Sequence, residues 1–494
     1  MGQKTVAVIG AGIGGLSAAA RLADAGYRVH VFEKNPDPGG KARVLRGDGF
    51  RFDKGPSLMT MPFVFQDYFE ELREDFEDYL RFERLNINCQ YFFSDCTTLN
   101  AYADKELFSV EIANKTKDDE ESVTRFFEHC QQLYDRTADT FLFNSPLQAL
   151  KQVNTSNLST LLHINALGIF TSLDKVNRNF FNDARTVQLF NRYATYNGSS
   201  PFHAPATFLI IPHVEFAFGA YNVIGGIYSI PDALSRLARK KGVSFHFKKE
   251  ASKIIHEDHR IKGLRLQDGI FDCDLVVANS DVRNTYNVLL GDHNSPLGLL
   301  YNRKESSSSA LVFYWGVKGD FDNLQIHNIF FSNDYHNEFK EIFRYKQCPR
   351  DPTVYINITS KYVKSDAPEQ CENWFVMINA PYAAGQNWQD ETQKTRRRIL
   401  EKLRKTLDID VEKRIIFESV WTPVDIERET GSCMGSLYGM ASNSPTGAFL
   451  RQQNKSFLYR GLYFCGGTTH PGGGMPLALI SGKIAADFVK RDAA

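Results

Sequence analysis

Thr5–Ile9 (TVAVI) is a short apolar run, and from Ile13 to Ala25 the apolar positions change to three-and-four spacing through Leu16, Ala19, Ala20 and Ala23. The first pattern predicts a strand and the second a helix. Gly26 ends that helix, and Arg28–Phe32 reads as a second strand closing on Glu33. Glu71–Ser200 reads as mostly helical, with Asp118–Thr137 the clearest amphipathic segment: Val123, Phe126, Phe127, Cys130 and Leu133 share one face. Leu158–Phe170 is more apolar, and Ala206–Tyr228 more apolar still.

From Ile230 the texture changes. Pro231-Asp232 opens a helix that runs through Lys241 and stops at Gly242. Val243–Phe247, Ala251–His256 and Ile261–Gln267 alternate like strands, and Asp274–Ala278 (DLVVA) reads as a buried strand leading to Asn279. Further strands are predicted at Ala310–Trp315, Val354–Ile358 and Trp374–Ala380, with a charged helix over Glu391–Thr406. At the C-terminal end, Gly461–Cys465 is a strand and Leu477–Val489 a helix of small residues, with Pro476 suited to its first turn. No low-complexity linker or internal repeat divides the chain, so the predicted units interleave.

The βαβ unit at the start carries a glycine motif, Gly10-x-Gly12-x-x-Gly15. Gly10 permits the tight turn, Gly12 admits a pyrophosphate to the backbone, and Gly15 lets helix and strand pack closely. The pyrophosphate then meets the positive end of a helix dipole, and Glu33 stands where an acid accepts bonds from an adenosine ribose. These residues call for FAD or NAD. The second strand is followed by the loop Asn35–Arg43 (NPDPGGKAR) instead of further βα units, which favours FAD, a larger body held by several separated segments. A second glycine-rich stretch, Gly466–Pro476, aims the N-terminus of the last helix at a ligand and suits the negative charge of a reduced flavin.

Charge and composition narrow the partners. Lys+Arg and Asp+Glu number 58 each in 494 residues, a balance that argues against a nucleic-acid partner. Eight scattered cysteines without a C-x-x-C read as free thiols in a reducing compartment, and the twelve histidines show no ligand spacing, so no metal is expected. The glycine motif lies too near Met1 for a signal peptide, and no run reaches the roughly 18 apolar residues of a spanning helix. A cytoplasmic protein resting on a membrane surface is expected, attached through an exposed apolar face of Ala206–Tyr228 with Leu158–Phe170 beside it.

Thr469–Pro476 (THPGGGMP), with the N-terminal glycines and Phe52–Ser57 (FDKGPS), resembles the bacterial carotenoid desaturases, phytoene-desaturase-like flavoproteins related to amine oxidases. The agreement runs through the whole chain and is densest at its ends. The resemblance implies an α/β and α+β protein, in which a Rossmann-like FAD-binding domain interleaves with a mixed sheet-plus-helix substrate domain. The implied division is 1–70, 230–290 and 421–494 for FAD, 71–229 for a helical substrate and membrane-contact region, and 291–420 for the rest of the substrate domain. It implies that Gly10, Gly12, Gly14 and Gly15 hold the pyrophosphate and Glu33 the ribose. Ser57 and Leu58 would lie beside the flavin, Ala251 would meet adenine, and Asn279, Leu437, Gly467 and Met475 would complete the site. Lys41 replaces the arginine usual in the family's P-G-G-R-A motif; a lysine lacks the bidentate fork, which leaves Lys41 and Arg43 as alternative phosphate cations.

Phe216–Gly226 stands where phytoene desaturases carry a tryptophan-containing stretch, and His213-Val214-Glu215 just before it is similar to the branch acting on hydroxylated carotenoids, the 1-hydroxycarotenoid 3,4-desaturases. The implied reaction is desaturation of an acyclic carotenoid by hydride transfer to flavin N5, with no catalytic base marked in the sequence and His213 and Glu215 as candidates near the substrate. Oxygen or a quinone would accept the electrons, and the protein would lie on the inner face of the cell membrane. The alternatives are a desaturase of an unhydroxylated carotene, a flavin amine oxidase, and a flavin-free prenyl-binding chaperone.

Overall fold

A computed structural model describes residues 3–144, 168–444 and 451–493. Thr5–Ile9 lies at the centre of a five-stranded parallel sheet in the order Ser244–Phe247, Arg28–Glu33, Thr5–Ile9, Leu275–Ala278, Leu462–Phe464. The strands come from stretches hundreds of residues apart. Alternation along the first strand explains its place: Val6 and Val8 pack with the helices Ile13–Asp24, Ser229–Lys240 and Met475–Ala493. Ala7 and Ile9 point the other way, against Ile254 and Leu264 of a three-stranded antiparallel sheet formed by Lys253–Glu257, Arg260–Leu266 and Gly269–Asp272. Both faces are covered, as a parallel sheet requires.

A seven-stranded mixed sheet forms the second body, in the order Ile415–Trp421, Ser309–Lys318, Cys371–Ala380, Val354–Ile358, His327–Phe330, Ile87–Phe92, Thr98–Tyr102. Its central strands pair antiparallel from Ser309↔Ala380 to Lys318↔Cys371. Leu311, Phe313, Trp315 and Val317 bury one face against Ile399, Leu400 and Leu403 of the helix Trp388–Leu407. Ala310 and Val312 turn to the opposite face, where the cavity lies.

Two expectations need correction. The region 71–200 is not simply helical, because Phe82–Arg84, Ile87–Phe92 and Thr98–Tyr102 are strands. Tyr91 and Leu99 point inward at period two about a turn at Asp95–Cys96, a pattern too short to stand out beside the helices that follow. Ala206–Tyr228 is not an exposed apolar face either. Ala206, Phe208, Leu209, Val214, Phe216, Ala220, Val223 and Ile227 are all buried, so its hydrophobicity belongs mainly to the core. Ile224 is exposed there. Of Leu158–Phe170, residues 158–167 lie outside the described residues.

Candidate functional site

The strand Thr5–Ile9 delivers its glycine turn to the C-terminal edge of the parallel sheet, where ligands of such sheets bind. Gly10 adopts φ +93° and its N–H donates to the Phe32 carbonyl at 2.8 Å. A Cβ on Gly15 would stand 2.3 Å from the Gly10 carbonyl oxygen, so helix and strand touch there without room for a side chain. Gly12 caps the helix Ile13–Asp24 with no side-chain cap and no acid in the first turn, which leaves its N–H groups for an anion.

Glu33 ends the second strand with its carboxylate buried. Oε2 accepts the Ala11 N–H at 2.8 Å; Oε1 accepts the N–H and side-chain amide of Asn35 at 2.9 and 2.8 Å. The carboxylate therefore braces the glycine turn from behind and is not among the cavity walls.

A cavity of about 420 Å³ runs between the two sheets. Of the predicted residues, Gly12, Gly14 and Asn279 wall it from the N-terminal unit, and Gly467 and Met475 from the C-terminal one. Lys41, Ser57, Leu58 and Leu437 add to the same wall. Gly10, Gly15, Arg43 and Ala251 stand outside it, the first two as the turn and packing contact described above.

Of the two alternative phosphate cations, Lys41 stands on the cavity wall and Arg43 does not. The Lys41 ammonium donates to the carbonyl of Leu437, and to that of Ser436 at 3.3 Å. Burial lowers its pKa to about 8, partly offset by Asp281. A cation held by neutral oxygens keeps its charge for an incoming anion. Asn279 closes the gap between the two glycine-rich stretches: its amide donates to the Gly10 carbonyl at 3.3 Å. An unopposed helix N-terminus, a charged lysine and backbone without side chains form a donor set that fits the pyrophosphate and ring system of FAD.

The far end of the cavity is different. Val312, Ile329, Phe375 and Met377 of the seven-stranded sheet supply an apolar wall. Ser57 and Tyr355 share a hydrogen bond of 2.7 Å, and the Tyr355 hydroxyl lies 2.8 Å from His327 Nδ1. The Asn357 amide nitrogen lies 3.1 Å from the same ring nitrogen. Burial, with Arg192 nearby, lowers the His327 pKa to about 3, so the ring stays neutral at ordinary pH.

His213 and Glu215, expected near the substrate, do not line the cavity. They sit two residues apart on the helix Ile210–Phe218, roughly 200° around its axis. His213 therefore packs on Tyr134, with ring centroids 4.7 Å apart. Glu215 faces the other way, accepting from the hydroxyls of Tyr193 and Tyr196 at 2.8 and 2.6 Å and pairing with Arg192 at 3.5 Å. It reaches the cavity only through Arg192 and Tyr196, which do line it. Neither they nor Asn88 and His327 stood out in the sequence. The spacing Arg192-Tyr193-x-x-Tyr196 was the available signal for the first pair.

Residues 13–489 match the family of flavin containing amine oxidoreductases. The chain is 44% identical over 487 residues to a 1-hydroxycarotenoid 3,4-desaturase of Flavobacterium sp. (strain P99-3), with 99% of each chain covered. It is 32% identical over 491 residues to a 4,4'-diaponeurosporene oxygenase of Staphylococcus haemolyticus (strain JCSC1435), covering 99% of this chain and 97% of that one. Its fold is similar to the crystal structure of an oxidoreductase from Methanosarcina mazei, with a TM-score of 0.66 at 15% identity, covering 98% of this chain and all of the other. The chain belongs to the flavin containing amine oxidoreductases, and its cofactor is FAD.

Proposed function

We propose that the protein is an FAD-dependent carotenoid desaturase that introduces a C=C bond into an acyclic carotenoid, by 3,4-desaturation of a 1-hydroxylated substrate. The observation that carries this reading is a continuous cavity whose glycine-lined end continues into an apolar end. Full-length similarity to a protein named for that reaction supports it. The chemistry a bound FAD supplies there is acceptance of a hydride at N5.

The chain's own residues bind, orient and exclude water. The N-terminus of Ile13–Asp24 and Lys41 would hold the pyrophosphate, with Gly10, Gly14 and Gly15 shaping the turn, and Glu33 would serve the ribose side and Ala251 the adenine side. Asn279, Ser57, Leu58, Leu437, Gly467 and Met475 enclose the remainder. Val312, Ile329, Phe375 and Met377 give a long hydrocarbon a dry surface. Neutral His327 is a poor proton acceptor, and the conjugated substrate carries the developing positive charge without needing a strong base.

This reading keeps the interleaved division into FAD-binding segments 1–70, 230–290 and 421–494 around 71–229 and 291–420. It also keeps a membrane surface as partner, on its inner face, because an apolar carotenoid enters from lipid. No described helix is long and apolar enough to cross a membrane. Oxygen or a quinone takes the electrons.

The test is turnover of a hydroxylated acyclic carotenoid, of its unhydroxylated parent, and of a primary amine by purified yellow enzyme, followed by product spectra. A longer chromophore from the hydroxylated carotenoid is expected. Oxidation of the amine alone would overturn the reading, and equal rates on both carotenoids would replace it by a general carotene desaturase.

A further inference from the structure

The cavity wall contains a polar group whose hydrogen-bonding capacity the described residues do not meet. In the strand Ile87–Phe92 the pairing steps from Ile87↔Tyr102 to Cys89↔Ala101, so Asn88 is the extra residue of a β-bulge. Bulges beside binding sites redirect a side chain out of the regular alternation. Asn88 lines the cavity although it is only 1% exposed, and among the described residues neither its carbonyl oxygen nor its amide nitrogen has a partner. A buried carboxamide with both functions unmet is costly, and native proteins rarely leave one so.

A second polar group stands on the same cavity. The Arg192 guanidinium lies 5.2 Å from the ring of Tyr91, three residues beyond Asn88, and donates to the Tyr196 hydroxyl at 3.2 Å. Its Nε is buried without a partner among the described residues. Glu215 neutralises it from behind, so the wall presents hydrogen-bond donors without a net charge.

Resting on the desaturase reading above, we propose that Asn88 is the residue that recognises the substrate's hydroxyl, with Arg192 and Tyr196 as further polar groups on the same cavity wall. An alcohol matches the vacant capacity of a carboxamide: its O–H donates to Oδ1 and its oxygen accepts from Nδ2, whichever way the amide is turned. An unhydroxylated end leaves both Asn88 groups unpaired, and a site built to bond a hydroxyl discriminates against the analogue lacking it. A hydroxyl-reading side chain thus enters the cavity from a bulge, and not from His213 or Glu215.

The experiment compares kcat/KM for a 1-hydroxylated acyclic carotenoid and its unhydroxylated parent in wild type, Asn88→Leu and Asn88→Ser, each checked for full flavin content. Wild type should favour the hydroxylated substrate. Asn88→Leu should lower that preference by about tenfold to a hundredfold, the factor carried by one buried hydrogen-bonded contact. Asn88→Ser, which keeps a hydroxyl, should fall between. Should Asn88→Leu fail to hold flavin, the serine variant decides alone, and an unchanged preference in it overturns the proposal. Equal losses on both substrates in either variant also overturn it, by showing a structural role. Wild type that desaturates both carotenoids equally sinks the proposal and spares desaturation as the chemistry; wild type that acts on neither sinks both.

Discussion

The Glu33 carboxylate accepts the Ala11 N–H at 2.8 Å, joining the end of the second strand to the middle of the glycine turn. An acid at this position is expected to meet a ribose, yet its geometry gives it work before any ligand arrives. It fixes the turn that presents Gly12.

Glu33→Ala should therefore destabilise the flavin-free protein as well as weaken FAD binding. Loss of the carboxylate leaves the buried Ala11 N–H unmet and the half-buried Asn35 groups without their acceptor, a cost of about 1–3 kcal/mol. Chemical denaturation of apoprotein measures it. A residue serving the ribose alone would leave the apoprotein curve where it was.

Lys41 predicts a pH dependence of cofactor retention. Its pKa in the folded protein is lowered by burial to about 8, so the ammonium loses its proton as pH rises through that value. A bound pyrophosphate favours the charged form and raises the pKa again, so affinity is fully present below about pH 8 and falls above it. FAD dissociation constants from pH 6.5 to 9.5, read by flavin fluorescence, should show this decline. Lys41→Arg should flatten it. Lys41→Met should bind about tenfold more weakly at neutral pH, where a charge-assisted bond is lost, and show no such decline. A wild-type profile that stays level past pH 9 would remove Lys41 from the phosphate.

How much of this was legible depends on how local each cause is. Thr5–Glu33 reads directly because strand, turn glycines, helix and acid are each set by neighbours in sequence, and the structure places strand Thr5–Ile9 as read. Lys41 was named and its wall position found. Asn88 was not, since a bulge exists only relative to the partner strand Thr98–Tyr102, which no local pattern encodes. His213 and Glu215 stood out as polar residues in an apolar stretch, but sequence spacing on an unplaced helix does not say which side meets the cavity. Ala206–Tyr228 illustrates the same limit: an apolar run serves a core or a membrane equally well until its neighbours are known.

Gly482 supplies a prediction away from the cavity walls. A Cβ there would lie 2.4 Å from the Gly14 carbonyl oxygen and 2.6 Å from Ser17 Cβ, because the helices Ile13–Asp24 and Met475–Ala493 touch at this point. Gly482→Ala should cost about 1–3 kcal/mol through overpacking and lower the thermal midpoint of the holoenzyme. An unshifted midpoint would mean that the two helices separate freely.

The buried pair Glu215–Arg192 gives the sharpest test of the architecture. Glu215 is 1% exposed and its oxygens take two tyrosine hydroxyls besides the 3.5 Å ion pair. The guanidinium in turn lies 4.6 Å from the Tyr193 ring and 5.3 Å from the Tyr196 ring. Removing one member leaves the other charge buried and alone, so Glu215→Gln and Arg192→Met should each destabilise by about 3–5 kcal/mol. Removing both charges leaves no unpaired ion, so the double variant Glu215→Gln/Arg192→Met should be more stable than the sum of the single losses by several kcal/mol. Urea midpoints with unchanged slopes measure all three. Strict additivity would show that the two charges are independently solvated, and would break the link that carries Glu215 to Arg192 and Tyr196 on the cavity wall.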